Sequence, residues 1–238
     1  AYEIRLSLGG SEMCIRDRDY KDYKLKGKVH APFSPFLMEF EIPKPYIKML
    51  NDYGDKVSKN DKKSKQLDWS DNLVGNVKQE HKIEDHIWHQ KPDDHLPTLF
   101  NWIGHCTNMY VRTKLNADGD DLDKEKAKQG IKKVLLHNSW LVNSIAGDFN
   151  PPHMHYGMLS TAGWLKMPES IEKGEEREHA GWIEFIYGTP QMFIDPKFAV
   201  KPHVGQIFFF PSWLLHEVYP FRGKGLRRTI SFNLSFEM

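Results

Sequence analysis

The stretch "GQIFFFPSWLLHEVYPFRGKGLRRTISFN" (205–233) decides the fold. It begins as a short apolar strand that ends at a proline turn, after which His216 follows. A turn rich in glycine and lysine then leads into another strand, and Arg227 lies eleven residues beyond His216. Because successive side chains of a strand point to opposite faces, Arg227, Thr229 and Ser231 are predicted to share one face.

Earlier runs in the second half of the chain have the same character. They are apolar, β-like and bounded by Gly or Pro, namely "VLLHNSWLVNSIAG" (134–147), "MLSTAGWLKMP" (158–168) and "GWIEFIYG" (181–188). The absence of helical patterns between them argues against an α/β sheet. Antiparallel strands in two packed sheets, a jelly roll, fit this pattern best.

The first half of the chain has a helical pattern instead. The segment 43–59 predicts an amphipathic helix behind a proline start. The segment 95–115 predicts a long helix laid against a sheet, with an apolar stripe of Leu99, Trp102, Ile103, Cys106, Met109 and Tyr110. We therefore expect an α+β fold, in which a mainly helical part (19–130) buttresses a jelly-roll core (131–238) within a single domain.

Composition narrows the class of protein. The numbers of basic residues (33 Lys and Arg) and acidic residues (32 Asp and Glu) are nearly equal, so the protein has no overall electrostatic field that would attract nucleic acid or an anionic membrane. No apolar run approaches the roughly 18 residues that span a bilayer. The two cysteines, Cys14 and Cys106, are too few and too far apart in sequence for a disulfide framework, which favours a location in the reducing cytoplasm. Residues 1–18 show no regular hydrophobic periodicity and are interpreted as a non-native leader, outside the fold, with a genuine amphipathic strand as the alternative.

The segment "DFNPPHMHYG" (148–157) contains two candidate metal-binding residues. In an extended segment His153 and His155 face the same way, so both imidazoles can reach one ion. The alternative is two unrelated histidines in a loop. Asp148, across two prolines from His153, is expected to form a turn. The other histidines have no partners at ligand spacing, and the tryptophans are expected in the core: Trp140, Trp164, Trp182 and Trp213.

Taken together, these motifs resemble the 2-oxoglutarate/Fe(II)-dependent oxygenases, and more closely the small members found in marine phages and bacteria. The segments that carry the resemblance lie between residues 72 and 236, namely 72–80, 139–169, 204–221 and 227–233. The resemblance implies a double-stranded β-helix with His153 and His216 as iron ligands. It also implies that Arg227, assisted by Thr229, grips the far carboxylate of 2-oxoglutarate.

Two neighbours of these residues, Arg228 and Asn143, each have two interpretations from sequence. Arg228 falls on the opposite face from Arg227 if the strand is regular, although a one-residue bulge would exchange the two. Asn143, on the strand before the histidine motif, is expected to face the cavity and bind the cosubstrate. A structural role in the strand is the alternative for Asn143.

Position 155 departs from the wider family, which carries Asp or Glu there. One interpretation is a three-histidine site of His153, His155 and His216, and this is the one we favour. A second is a two-histidine site without the carboxylate. In a third, the register shifts so that His155 is the first ligand, Gly157 takes the carboxylate position and His153 lies outside the shell.

The predicted activity is that of a dioxygenase using Fe(II), 2-oxoglutarate and O2. It would hydroxylate a small-molecule or peptide substrate and release succinate and CO2. No catalytic residue beyond the metal ligands stands out. The alternative is a non-catalytic, cupin-like jelly-roll module that binds a metal or ligand, and such a module would give Arg227 no 2-oxoacid to grip.

Overall fold

The computed structural model describes residues 35–77, 79–118, 121–193 and 195–238. These residues belong to one compact unit. Its helices are α1 (Lys44–Ser58), α2 (Asp61–Gln66), α3 (Asp85–Trp88), α4 (Leu99–Asp118), α5 (Asp121–Gln129) and α6 (Glu169–Glu172). Its strands are β1 (Met38–Glu41), β2 (Glu80–Lys82), β3 (Lys133–Ser144), β4 (Asn150–His153), β5 (Leu159–Lys166), β6 (Ile183–Ile186), β7 (Lys197–Val200), β8 (Gln206–Pro211), β9 (Leu215–Val218) and β10 (Arg227–Glu237).

The strands form two antiparallel sheets. The major sheet has the order β1-β8-β5-β10-β3-β2, and the minor sheet has the order β4-β9-β6-β7. From β3 onward the chain passes between them, because β3, β5, β8 and β10 lie in the major sheet and the intervening strands lie in the minor one. Two sheets wound in this way make a double-stranded β-helix, and the predicted jelly roll is confirmed.

Helices cover the outer face of the major sheet. Helix α1 begins after Pro43, as predicted, and buries Tyr46, Leu50, Tyr53 and Val57 against this face. Helix α4 contributes most of its predicted stripe to the same core. Its Met109 is instead 53% exposed, so the stripe is narrower than the sequence indicated. The rest of this core comes from outward-facing residues of the sheet, among them Leu141, Ile230 and Phe232.

The mainly helical part also supplies two strands that the sequence did not predict. Strand β1 pairs with β8 and strand β2 pairs with β3, so both lie at the edges of the major sheet. Both are only three or four residues long, which is too short for a two-residue alternation to stand out in the sequence. The predicted leader, residues 1–18, lies outside the described residues. None of the described helices has the length and apolar character needed to cross a membrane.

Candidate metal centre

Two strands of the minor sheet bring the histidines together. His153 at the end of β4 is the register partner of His216 in β9. His155 follows two residues later, and its backbone N–H donates to the Ser212 carbonyl at 2.9 Å. The ligand atoms of the three imidazoles all lie within 4.8 Å of one another, and Nε2 of His155 is 3.2 Å from Nε2 of His216. In the described part of the chain no other group of three His, Cys, Asp or Glu is arranged to hold a metal.

Backbone carbonyls set the tautomers of two of these imidazoles. Nδ1 of His153 lies 2.7 Å from the Pro151 carbonyl, and Nδ1 of His216 lies 2.9 Å from the Leu214 carbonyl. Because a carbonyl only accepts hydrogen bonds, each Nδ1 carries the proton. Nε2 of both rings therefore presents a lone pair to the shared space, as a metal ligand must.

Burial keeps the three imidazoles neutral. It lowers the pKa of His216 well below its usual range, and the two neighbouring histidines lower it further. Burial, then His153, lowers the pKa of His155 to about 3, and burial also lowers the pKa of His153. A neutral imidazole keeps its lone pair available, so the three rings fit a divalent ion of the kind that imidazole binds, iron included.

The turn that follows β8 supports two of these histidines with backbone carbonyls. Ser212 and Leu214 offer the two carbonyls that bind His155 and His216. The Ser212 hydroxyl, fully buried, receives a hydrogen bond from Ser160, and the polar chain continues across the major sheet through Asn233 to Asn138. The sequence predicted a turn here but not its contacts with the histidines, because a Pro-Ser-Trp step has the local pattern of an ordinary turn.

The histidines open into a pocket between the two sheets. Its walls are mostly apolar, with three hydroxyls and one arginine, and consist of Leu73, Val74, Trp140, Val142, Asn150, Thr161, Ala162, Trp164, Ile183, Val218, Arg227, Thr229 and Ser231 besides the histidines. Trp140 and Trp164 are buried, as predicted. Trp182 is partly buried, whereas Trp213 is 53% exposed and does not belong to the core.

Arg227 is the cation of this pocket. Its guanidinium donates to the Gly181 carbonyl at 2.9 Å and to the Ser144 hydroxyl at 3.1 Å, and it lies 5.6 Å from the centre of the Phe221 ring. Its Nε–H has no partner among the described residues, and no carboxylate there forms an ion pair with it. Burial lowers the pKa of Arg227 to about 10, against the opposite effect of Asp148. A buried arginine without a carboxylate is a site for an anionic ligand.

Arg228 points to the other face of the same strand. It donates to the Asn143 side-chain oxygen at 2.7 Å and forms an ion pair with Asp55 of α1 at 2.8 Å. It also donates to the carbonyl of Asn51 at 2.9 Å. Bulges interrupt the pairing of β10 between Arg228 and Thr229 on β5, and between Asn233 and Leu234 on β3, yet the alternation from Arg227 to Ser231 is regular. The arginine of the pocket is therefore the one that strict alternation selects.

The expectation for Asn143 is wrong about its direction. Its side chain lies on the outer face, where it accepts from Arg228 and donates to Ser58 of α1 at 3.1 Å. The alternation of side chains along β3 explains this direction. Val142 and Ser144 face inward, so the residue between them must face outward. The Asp148 carboxylate accepts from the Ile145 N–H at 2.9 Å, which is the turn that the sequence suggested.

A family model matches part of this chain. Residues 138–233 match the family model described as "Putative 2OG-Fe(II) oxygenase". No match was found among curated proteins.

Solved structures with a remote likeness to this chain were also found. The viral collagen prolyl hydroxylase of Paramecium Bursaria Chlorella virus-1 is 12% identical with a TM-score of 0.48, over 85% of this chain and 97% of that one. A Pseudomonas putida prolyl-4-hydroxylase is 14% identical with a TM-score of 0.48, over 84% and 93%. AviO1 from Streptomyces viridochromogenes Tue57 is 12% identical with a TM-score of 0.48, over 86% and 90%. Likenesses this remote do not bear on the substrate of this chain.

Proposed function

We propose that this chain, whose residues 138–233 belong to the 2OG-Fe(II) oxygenase family, is a 2-oxoglutarate- and Fe(II)-dependent dioxygenase that hydroxylates its substrate. One observation carries the proposal beyond family membership. A single pocket holds three neutral, converging imidazoles and one buried arginine without a carboxylate partner. These are the binding groups that a metal and a dianionic 2-oxoacid require together.

In this proposal His153, His155 and His216 bind Fe(II). The Pro151 and Leu214 carbonyls keep two of the rings in the tautomer that offers Nε2, so these two bind without first losing a proton. The bound iron would supply activation of O2, coupled to conversion of 2-oxoglutarate to succinate and CO2 and to hydroxylation of the substrate. In the two-histidine alternative, His155→Ala would retain full metal affinity, and the three-histidine proposal predicts that it does not.

Arg227 and Thr229 bind the cosubstrate in this proposal. The planar guanidinium offers parallel N–H groups to one carboxylate, a geometry that lysine cannot reproduce. Ser144 and the Gly181 carbonyl hold two of its nitrogens, so the side chain is already oriented before the ligand arrives. Apolar walls such as Val142, Ile183 and Val218 keep water away from this part of the pocket.

The test is a titration of the anaerobic, Fe(II)-loaded protein with 2-oxoglutarate, followed by visible absorption. Formation of the Fe(II)–2-oxoacid chelate produces a weak charge-transfer band, which we expect in the native protein. His216→Ala removes a ligand, so the band is expected to vanish. If the native protein gives no band and binds no 2-oxoglutarate, the proposal fails and a cupin-like binding module becomes the better interpretation.

The wider setting of the activity is also proposed. We place residues 19–238 in one oxygenase domain and the protein in the cytoplasm, of phage or marine bacterial type. We propose a small molecule or a peptide as the substrate and do not propose nucleic acid, because the charges are balanced. Turnover assays with 2-oxoglutarate consumption as the readout would identify which substrate class accelerates it.

A further inference from the structure

Asn150 is a residue of the pocket to which the sequence analysis assigned no role. It begins β4, three residues before His153, and both side chains line the pocket. Three residues apart in a regular strand would point to opposite faces. The pairing of β4 with β9 is irregular between Asn150 and His153, and this irregularity lets both face inward.

The Asn150 amide has unused hydrogen-bonding capacity. Among the described residues, no group is hydrogen-bonded to its side chain, and the residue is only partly exposed. Its register partner Val218 and the next residue of that row, Ile183, have apolar side chains that offer it no hydrogen bond. A polar amide that faces an apolar recess without a protein partner is placed to meet a ligand.

A neighbouring segment fixes this amide in position. We call residues 73–77 the strap, because they precede β2 of the major sheet and pair through Asn76 with Phe149, the residue before β4 of the minor sheet. The Asn76 N–H donates to the Phe149 carbonyl at 2.9 Å, and Leu73 and Val74 line the pocket. At Gly75 an added Cβ would lie 2.7 Å from Nδ2 of Asn150, so a larger residue there would displace the amide from its present position.

The strand registers place Asn150 between the histidines and Arg227. In the minor sheet one row contains His153 and His216, and the next contains Asn150, Val218 and Ile183.

Rows of residues in the major sheet lie opposite these rows of the minor sheet. Trp140 lies beside the histidines, 5.6 Å from the ring of His155, and Val142 with Thr229 forms the next row. Arg227 forms the row after that and binds the carbonyl of Gly181, which precedes Ile183 by two residues. A molecule that reaches from the histidines to Arg227 therefore passes the row of Asn150 and Thr229.

We propose that Asn150 is a third binding residue for 2-oxoglutarate, donating from Nδ2 to one of its oxygens, with the strap holding the amide in place. This inference rests on the proposed function, because it presumes that 2-oxoglutarate occupies the pocket. It assigns to residues 73–77 the task of orienting a binding group, which explains why Gly75 approaches Asn150 so closely.

The test measures binding rather than turnover. Co(II)-loaded protein is titrated with 2-oxoglutarate by calorimetry, and Asn150→Ala is expected to weaken binding about 10-fold, the size of one hydrogen bond to a charged group. Asn150→Asp keeps the shape, removes the donor and adds a negative charge, so its loss should be larger. Affinity for Co(II) should be unchanged in both. Asn101→Ala, which removes an exposed amide of α4 outside the pocket, is the matched control and should bind normally.

A double-mutant cycle tests the role of the strap. Gly75→Ala should weaken 2-oxoglutarate binding by pushing the Asn150 amide aside, but should add no further loss to Asn150→Ala, which has no amide to displace. Gly104→Ala is the control for a glycine substitution, since nothing lies within 4 Å of the added Cβ. Additive losses from Gly75→Ala and Asn150→Ala would overturn the positioning role of the strap.

Failure of this inference differs from failure of the proposed function. If the native protein binds 2-oxoglutarate and Asn150→Ala binds it equally well, Asn150 is not a binding residue, and the oxygenase proposal stands. If Asn150→Ala loses Co(II) as well, Asn150 supports the metal centre instead, and the inference is wrong. If the native protein does not bind 2-oxoglutarate at all, both proposals fall.

Discussion

The two faces of strand β10 treat adjacent arginines in opposite ways. Arg228, on the outer face, meets the Asp55 carboxylate, the Asn143 amide and a backbone carbonyl of α1. Arg227, on the inner face, is equally buried but meets only a hydroxyl, a carbonyl and an aromatic ring. We infer from this difference that Arg228 serves structure, because its partners lie within the protein, whereas Arg227 is left partly unpaired and has donors available to a ligand.

The same contrast extends over the whole major sheet. Outward-facing residues such as Ile230 and Phe232 pack into the core beneath the helices. Inward-facing Thr229 and Ser231 present hydroxyls to the pocket. The outer face thus provides stability and the inner face provides binding groups, and substitutions on the two faces should separate these properties.

The largest expected effect is on the outer face. Arg228→Met should lower the free energy of unfolding by about 3 kcal/mol, because Asn143 and the carbonyl of Asn51 would lose their buried donor. Urea denaturation measures the change. The folded variant should still bind 2-oxoglutarate normally, and a binding defect at full occupancy of the folded state would contradict the assignment of Arg228 to structure. Arg228→Lys offers a milder change if the first variant folds poorly.

The matched substitution on the inner face should have the opposite profile. Arg227→Met is expected to weaken 2-oxoglutarate binding about 100-fold, through loss of the bidentate charge-assisted contact. The free energy of unfolding should be unchanged or higher, because a desolvated cation without a carboxylate is removed. Calorimetric titration and urea denaturation together test this. Equal affinity for 2-oxoglutarate in the variant would remove Arg227 from the binding site.

Glu80 on the inner face should make the stability of the protein depend on pH. It shares the inner face with its register partner Val142, is fully buried, and neither carboxylate oxygen has a partner among the described residues. Burial, followed by Asp68 and Asp148, raises the pKa of Glu80 from 4.5 to about 8. Between these values the unfolded chain has released this proton while the folded protein retains it, so stability falls as pH rises through this window.

Glu80→Gln should remove that pH dependence. We expect the variant to gain up to about 2 kcal/mol over the native protein at pH 8 and little at pH 4.5. Urea denaturation at both pH values measures the difference, with the exposed Glu237→Gln as control. A native protein whose stability does not decline across this window would show that Glu80 is ionised when folded.

The smallest effect concerns Asn143. Asn143→Ala should lower the free energy of unfolding by about 1 kcal/mol, because it removes hydrogen bonds to Arg228 and Ser58. Binding of 2-oxoglutarate should be unaffected, in contrast to Asn150→Ala. A loss of 2-oxoglutarate binding without a loss of stability would contradict the structural role of Asn143 and indicate that it binds the cosubstrate.

Local periodicity accounts for the parts of the site that could be predicted. Strict alternation along β10 separated Arg227, Thr229 and Ser231 from Arg228, and the bulges in its pairing do not disturb that stretch. The spacing of His153 and His155 likewise follows from an extended backbone. These features depend only on residues a few positions apart, so the sequence contains all the information they need.

Other parts of the site depend on residues far apart in the chain. Asn143 was expected in the pocket because no local signal states which face of β3 is the inner one. The inward direction of Asn150 comes from an irregular pairing with β9, nearly seventy residues away. The Ser212 carbonyl accepts the backbone N–H of His155 only because the turn after β8 folds back onto the segment that follows β4. Patterns within one segment do not report such pairings.

By itself, then, the sequence determined the class of fold, the helix of residues 44–58, the histidines and the arginine able to reach one pocket, and the family resemblance. Only the tertiary structure decided that Arg228 belongs to the core, that Asn150 replaces Asn143 in the pocket, and that the Ser212 carbonyl holds the backbone of His155. The physical reason is that periodicity fixes the relative directions of neighbouring side chains. Which face meets the core, and which buried polar group finds a partner, depends on how distant strands pair.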